Sequence, residues 1–265
     1  MKIARFIPTG SDTPAFGVVS GLDEHDEVTA ETTMAEIDGH PFGGVDLTGR
    51  SFALSEVRLL APILPSKVVA VGRNYAAHIE EMGSSVPDEP MIFLKPSTAI
   101  VGPGDAIRLP VESEHVDHEA ELAIVIGRLC KDVPLERVGE VVFGYTCAND
   151  VSARDFQKSD GQWGRAKGFD TFCPLGPWIE TEIDPGNLRI TCAVGDDLRQ
   201  DSNTSLLLRD VPTIVAWISH VMTLLPGDVI LTGTPSGVSP IVAGDVVQVS
   251  IDGIGTLENP VVVAS

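Results

Sequence analysis

Apolar and polar positions change their pattern near residue 65. Over the first sixty or so residues, short apolar runs at 3–7, 15–19 and 57–60 are separated by Gly, Pro and acidic clusters. This predicts a small strand-rich module over 1–65. After Pro62 and Pro65, Val68-Val69-Ala70-Val71 reads as a buried strand running into Gly72-Arg73-Asn74 and then a helical stretch over 75–82. A second, larger unit over 66–265 starts there. Strand-like runs dominate it, at 91–94, 106–109, 119–126, 141–148, 188–194, 229–231 and 246–251. The clearest helix covers 212–224, with Asp210 as its cap and apolar residues at Ile214, Val215, Ile218, Val221 and Met222. Gly104-Asp105, Gly227-Asp228 and Gly244-Asp245 each precede a strand and read as turns feeding antiparallel pairs. The fold class is α/β, β-rich, with mixed sheets. No G-x-G-x-x-G follows a strand, which argues against a dinucleotide-binding domain.

Composition narrows this without redirecting it. A 265-residue chain that is 43% hydrophobic, with 26 glycines and 19 prolines, is a folded, turn-rich protein with a sizeable core. Its formal charge of −20, from 38 acidic against 18 basic residues, repels phosphate backbones and anionic membranes, so nucleic acid and membrane partners are not expected. An anionic metabolite would be repelled too, unless a metal ion or a few placed Lys and Arg concentrate positive charge at the site. Cys130, Cys147, Cys173 and Cys192 are far apart and read as reduced core residues. Pro8, Gly10, Ser11 and Asp12 interrupt the start, and the apolar run at 214–225 is too short to span a bilayer. The expectation is a soluble, cytoplasmic protein.

Chemistry concentrates in His118-Glu119-Ala120-Glu121, at the head of an apolar strand. Residues i and i+2 of a strand share a face, so Glu119 and Glu121 would project side by side and repel unless a cation or proton lies between them. Taken alone, such a pair reads first as the solvated face of an edge strand. The run at 141–148 ends in Asn149-Asp150 and brings a third carboxylate to a strand end, although Asp150 also suits a turn or helix cap.

These segments, with Arg73-Asn74-Tyr75-Ala76-Ala77-His78, Phe93-Leu94-Lys95-Pro96, Asn149-Asp150-Val151-Ser152-Ala153-Arg154-Asp155, Lys167-Gly168-Phe169-Asp170 and Thr232-Gly233-Thr234-Pro235, together resemble the fumarylacetoacetate hydrolase family. They stand in that family's order over about residues 66–260. The resemblance implies a β-roll-like catalytic domain, usually a homodimer, with Mg²⁺ or Mn²⁺ held by three carboxylates and reactions on 2-oxo acids. The family's metal positions match Glu119, Glu121 and Asp150. An all-oxygen donor set also favours a hard cation on chemical grounds.

His78 and Glu81, three apart on a helix, share a face and suit a general acid–base pair, although without the resemblance they read first as a solvated turn. In relatives this segment resembles a lid that orders over substrate. Lys167 is the expected contact for a substrate or its enolate, with Lys95 next. Arg154, beside Asp150 and Asp155, fits a structural bridge or a substrate contact equally. Arg73, Tyr75, Gln157 and Thr234 match further substrate-binding positions, while Trp163 reads as a loop cap.

The expected substrate is a small anionic 2-oxo acid, chelated through its carboxylate and 2-oxo oxygens. Cleavage of the C3–C4 bond, as acylpyruvate hydrolysis or oxaloacetate decarboxylation, ranks first. Isomerisation of a 2-hydroxyhepta-2,4-diene-1,7-dioate type ranks second. A metal-binding protein without catalysis is the alternative of another class, and would not require the set His78, Glu81 and Lys167.

Overall fold

The computed structural model describes residues 1–264. They form a sheet of twelve strands, a sheet of five and a short two-stranded ribbon. The large sheet runs, from one edge, through Leu47–Ala53, Thr33–Ile37, Ala15–Ser20, Lys2–Pro8, Cys173–Glu180, Val142–Asn149, Ala120–Ile126, Val229–Leu231 and Val68–Gly72 to Met91–Lys95. Val57–Leu60 and Ile100–Val101 pair off this path. The five-stranded sheet is Asp197–Asn203, Arg189–Val194, Val246–Ile251, Gly255–Val263 and Ile107–Leu109. Pairing is antiparallel in most of both sheets but parallel where Val229–Leu231 meets Val68–Gly72, where Cys173–Glu180 meets Ile100–Val101 and where Gly255–Val263 meets Ile107–Leu109. The mixed, β-rich architecture is the one the apolar runs predict.

The N-terminal strands are continuous with the rest in hydrogen bonding. Lys2 and Ile3 pair with Glu180 and Ile179, and Glu180 receives the terminal amine at 2.5 Å and Lys2 Nζ at 3.0 Å. The four α-helices of the described residues are α1 (Ala76–Glu81), α2 (Arg154–Ser159), α3 (Gly164–Gly168) and α4 (Val211–Val221). Asp210 caps α4 through Thr213 N at 3.0 Å. Among the described residues no helix is long and apolar enough to cross a membrane. The three Gly-Asp steps are turns with φ of 76°, 87° and 100° at the glycines, but the strand after Gly104-Asp105, Ile107–Leu109, pairs in parallel with Gly255–Val263 rather than antiparallel as expected.

Strand Ala120–Ile126 shows how the core sets the site. All seven residues are buried, because the strand is covered on both faces. Ala120, Leu122, Ile124 and Ile126 face the main core, where they meet Ile190, Val249 and Leu257 of the second sheet. Ala123 and Val125 face a smaller core with Val68, Ala70, Ala148, Leu175 and Leu231. Truncating a residue such as Ile124 to Ala would cost about 2–5 kcal/mol by transfer and cavity terms. Period-2 alternation then fixes where Glu121 and Glu119 point: they continue the face of Ala123 and Val125 beyond the edge of the smaller core.

Candidate metal-centred active site

Three carboxylates converge through register. Glu121 pairs with Ala148 and Ala120 with Asn149, and Asp150 N donates to Glu119 O at 2.8 Å. Asp150 therefore continues the face of Ala148, next to Glu119 and Glu121. Oxygen atoms of all three lie within 4.8 Å of one another, and the residues are 4%, 2% and 1% exposed. They floor a cavity of about 670 Å³.

Two buried lysines neutralise part of this charge. Lys167 Nζ donates to Glu119 Oε2 at 2.6 Å and Asp150 Oδ2 at 2.8 Å, and Lys95 Nζ donates to Asp150 Oδ1. Burial alone would raise the pKa of Glu119, but Lys167 and Arg154 outweigh it and hold the group below the usual carboxylate range. Glu121 goes the other way. Burial and the charges of Asp150 and Glu119 push it well above the ordinary value. Its hydrogen-bond donor is Gly233 N, at 2.6 Å. Gly233 has φ 100°, and a Cβ there would stand 2.9 Å from Asn74 Cβ, so glycine is required for this approach.

This arrangement fits a hard divalent cation. The donors are all oxygen and preassembled, and the charge is unbalanced, since Arg154 is matched by Asp117 and two ammonium groups face three carboxylates. The buried Tyr75 hydroxyl has no hydrogen-bond partner among the described residues, and burial together with the Glu121 charge raises its pKa. A hydrated ion beside Glu121 would supply the partner it lacks.

The wall carries the acid–base candidates. His78 Nδ1 lies 3.2 Å from Glu81 Oε2, and Glu81 Oε1 accepts from Gly237 N at 3.0 Å, which ties α1 to the loop after Thr234. Thr234 lines the cavity, and its hydroxyl accepts from Gln200 Nε2 at 2.8 Å, leaving its own proton free to donate inward. Gln157 and Arg73 also line the cavity. Arg154 donates to Asp117 Oδ2 at 2.7 Å and Gln157 Oε1 at 2.9 Å. Its Nη2 is 2.7 Å from Glu119 Oε1 without an aligned hydrogen bond, a contact of charge rather than geometry.

Several sequence expectations are corrected here. Lys95 and Tyr75, expected at the substrate, are not among the residues that line the cavity; Lys95 is engaged by Asp150, and Tyr75 is the residue preceding α1. Arg154 does form a structural bridge, one of its two expected roles, but to Asp117 and Glu119 rather than to the neighbouring Asp150 or Asp155; Asp155 instead receives Ser113 and Glu114. Trp163 is no plain loop cap. It lines the cavity and meets Phe93 edge-on at 5.3 Å, and its ring lies so close over Gly72 that a Cβ there would be 2.6 Å away.

Sequence reasoning missed Gln200. Its Oε1 accepts from His118 Nδ1 at 3.1 Å and Ala120 N at 3.0 Å, while Nε2 donates to Thr234 Oγ1 and Pro235 O, both at 2.8 Å. One buried amide thus joins the strand of the two glutamates to the Thr-Gly-Thr-Pro loop. His118 is held on that side, away from the carboxylates, and burial lowers its pKa. Asn74 does similar work, donating to Thr232 O and Arg209 O at 2.8 and 3.0 Å. Neither a lone Gln nor a lone Asn gives a periodic or spacing signal.

Residues 67–262 match the model of the fumarylacetoacetate (FAA) hydrolase C-terminal family, and residues 1–62 that of an Rv2993c-like N-terminal family. The chain belongs to the fumarylacetoacetate hydrolase family. Family membership brings relatives with several activities. Protein Rv2993c of Mycobacterium tuberculosis is 57% identical over 99% of this chain and 98% of its own length. The mitochondrial oxaloacetate tautomerase fahd2 of Xenopus laevis is 50% identical over 78% of this chain and 69% of its own. Among solved structures, the 5-carboxymethyl-2-hydroxymuconate delta-isomerase from Mycobacterium smegmatis superposes with a TM-score of 0.92 at 55% identity, covering 100% of both chains. Maleylpyruvate hydrolase from Sphingobium sp. SYK-6, in complex with manganese(II) and pyruvate, superposes with a TM-score of 0.79 at 35% identity, also over 100% of both chains. Enzymes of this family thus include isomerases, tautomerases and hydrolases.

Proposed function

We propose that the protein is a Mg²⁺- or Mn²⁺-dependent enzyme that moves a proton at C3 of a small 2-oxo acid, with tautomerisation or isomerisation as its main reaction. The observation that carries this reading is the convergence of Glu119, Glu121 and Asp150 beneath the cavity that His78 and Glu81 flank. A divalent ion held by the three carboxylates would polarise the carboxylate and 2-oxo oxygens of the substrate and acidify C3–H. With the ion, the floor changes from one net negative charge to one net positive charge, which suits an anionic substrate in a protein of charge −20.

The chain's own groups supply the proton transfer. Glu81, as a carboxylate, only accepts, so the hydrogen bond assigns the proton to His78 Nδ1 and leaves Nε2 basic. Nε2 takes the C3 proton, the C–H electron pair becomes the C2–C3 double bond, and negative charge moves to the 2-oxo oxygen. Lys167, kept protonated by Asp150 and Glu119 against the effect of burial, faces that developing charge. The imidazolium then returns the proton to oxygen in tautomerisation, or to a conjugated carbon in isomerisation. Thr234 and Gln157 orient the substrate by hydrogen bonds from the wall.

C–C cleavage requires a further event after the same proton transfer, attack of water on an acyl carbon or loss of carbon dioxide. The likeness to maleylpyruvate hydrolase favours it as the second reading. We place proton transfer first because the tautomerase and isomerase relatives are the more similar at 50% and 55% identity, against 35%. The test is to add protein and Mg²⁺ to the enol form of oxaloacetate, following enol absorbance and pyruvate release together. Metal-dependent enol loss well ahead of pyruvate release is the expected result. Pyruvate release matching enol loss would shift the assignment to cleavage, and no acceleration of any 2-oxo acid would refute both.

A further inference from the structure

One buried amide sets the direction of the hydrogen bonds at the cavity wall. Gln200 is fully withdrawn from water, with four groups within hydrogen-bond distance of its side chain. Two of them fix its orientation. Ala120 N–H can only donate, so it faces Oε1, and Pro235 O can only accept, so it faces Nε2. The other two partners follow: His118 gives its Nδ1 proton to Oε1, and Thr234 Oγ1 accepts the second proton of Nε2 at 2.8 Å. Exchanging the amide oxygen and nitrogen would set donor against donor at Ala120 and acceptor against acceptor at Pro235. Each buried group left unpaired in that way costs about 1–3 kcal/mol.

The strand that carries Gln200 is shaped for this contact. Cys192 pairs with Gln200 and Ala193 with Leu198, so Arg199 is the extra residue of a β-bulge. Neighbours in a regular strand point to opposite faces, whereas Arg199 and Gln200 both reach the 234–240 segment. Arg199 Nη1 donates to Pro240 O at 2.7 Å and to Ser239 Oγ at 3.0 Å. Gly237, with φ 98°, brings the loop so close that a Cβ there would stand 2.1 Å from Arg199 O. The loop is thus held against this strand at both ends and in the middle, which keeps Thr234 on its donor.

Thr234 lines the cavity, and among the described residues its hydroxyl donates to no protein acceptor. A hydroxyl that accepts from Nε2 cannot turn its proton back to the same atom. We infer that Gln200 is a positioning residue, which sets Thr234 as a fixed hydrogen-bond donor so that the cavity takes an acceptor oxygen of the ligand at that point. This rests on the proposed metal-centred reading, in which a 2-oxo acid brings only acceptor oxygens to the wall. Such an oxygen meets a proton already in place, with no reorientation of the hydroxyl. A ligand amine placed there as a donor would leave the Thr234 proton unpaired. Without the amide the hydroxyl rotates freely, and its proton is divided among several orientations.

The test is a double-mutant cycle between Gln200→Met and Thr234→Val. It is read by calorimetric titration of each Mn²⁺-loaded protein with pyruvate, beside titration with Mn²⁺ itself. Thr234→Val is nearly isosteric and leaves Nε2 its bond to Pro235 O. It should weaken pyruvate binding by on the order of ten-fold, the loss of one charge-assisted hydrogen bond. Gln200→Met should weaken it several-fold, with Mn²⁺ affinity within about three-fold of wild type. In the Thr234→Val background the same change should have an effect of no more than about two-fold, because the group it acts through is gone. A merely structural Gln200, acting on the strand of the two glutamates through Ala120 N, would lower Mn²⁺ affinity as well and weaken pyruvate equally in both backgrounds. That result would overturn the proposal. So would Thr234→Val binding pyruvate as tightly as wild type, an outcome that needs no Gln200 variant. Should Gln200→Met not fold, Gln200→Asn takes its place in the cycle, as a neutral amide one methylene too short to span Ala120 N and Thr234 together. Each of these outcomes leaves the metal-centred reading standing; that reading fails, and the positioning role with it, if the wild-type protein binds no pyruvate with Mn²⁺ present.

Discussion

The Lys167 ammonium stands 2.6 Å from Glu119 Oε2, with both side chains almost wholly withdrawn from water. Each fixes the charge of the other: Glu119 is held low and Lys167 high, against burial in both cases. A lysine so placed competes with a metal for the same oxygens and also presents a positive charge to the substrate. Lys167→Met should therefore lower kcat by about 10²-fold or more, while Mn²⁺ affinity is kept or tightened. Steady-state kinetics beside calorimetric Mn²⁺ titration checks both. Loss of metal binding would show that Lys167 organises the ligands rather than the substrate.

Glu121 is the carboxylate of the three whose pKa is pushed up, through burial and the charges of Asp150 and Glu119. A folded-state pKa above the unfolded value means stability that is present below the unfolded pKa and lost as pH rises through the folded one. At neutral pH without metal, Glu121 is thus a cost. Glu121→Gln should raise the thermal midpoint in chelator by a few degrees and flatten its decline from acid to neutral pH. The increase that Mn²⁺ gives the wild type should be largely lost. A lower midpoint in chelator would contradict the repulsion read from the three carboxylates.

His78 and Glu81 touch each other but no metal-candidate oxygen. His78→Ala should reduce kcat by about 10²- to 10⁴-fold, the range for a positioned acid–base group. Mn²⁺ affinity should stay nearly unchanged. Glu81→Gln should fall between wild type and His78→Ala, since it removes the carboxylate charge and leaves one acceptor oxygen for both His78 Nδ1–H and Gly237 N. Full turnover in His78→Ala would remove this residue from the mechanism.

Glu180 joins the N-terminal strand to the centre of the large sheet, through the terminal amine and Lys2. Burial would raise its pKa, but these contacts and Glu182 N hold it lowered. A depressed carboxylate contributes stability above its unfolded pKa that is lost as pH falls through the folded one. Glu180→Gln should then reduce stability near neutral pH by on the order of 1–3 kcal/mol, a shift of several degrees. The gap from wild type should close as the pH falls below about 4, in the carboxylate range. Melting curves across pH check it, and an equal gap at all pH values would point to packing instead.

Much of this site was legible because strand periodicity reports side-chain direction. Glu119 and Glu121 at i and i+2 lie on one face in the structure, and Asp150 joins them through the register of the adjacent strand. Runs at 229–231 and 246–251 coincide with strands of the same bounds. What was hidden lies in long-range contacts. Gln200 reaches Ala120 across 80 residues, and Asn74 reaches Thr232 across 158. Local pattern says nothing about such pairs. Trp163 was misread because its role comes from packing on Gly72 and Phe93, both distant in the chain. The two lysines, ranked Lys167 before Lys95 from the sequence, are about equally buried and differ in where they sit: Lys167 lines the cavity, whereas Lys95 does not and is engaged by Asp150.

The central claim, metal-assisted proton transfer at C3 over the three carboxylates, is tested most directly by NMR in D₂O. The signal to follow is the C3 protons of 2-oxoglutarate. With protein and Mg²⁺, they should be replaced by deuterium far faster than without protein. The rate should return to background in chelator and in Glu121→Gln, and fall by about 10²-fold or more in His78→Ala. Exchange at the protein-free rate with Mg²⁺ or Mn²⁺ present, or equally fast exchange in chelator, would contradict the account.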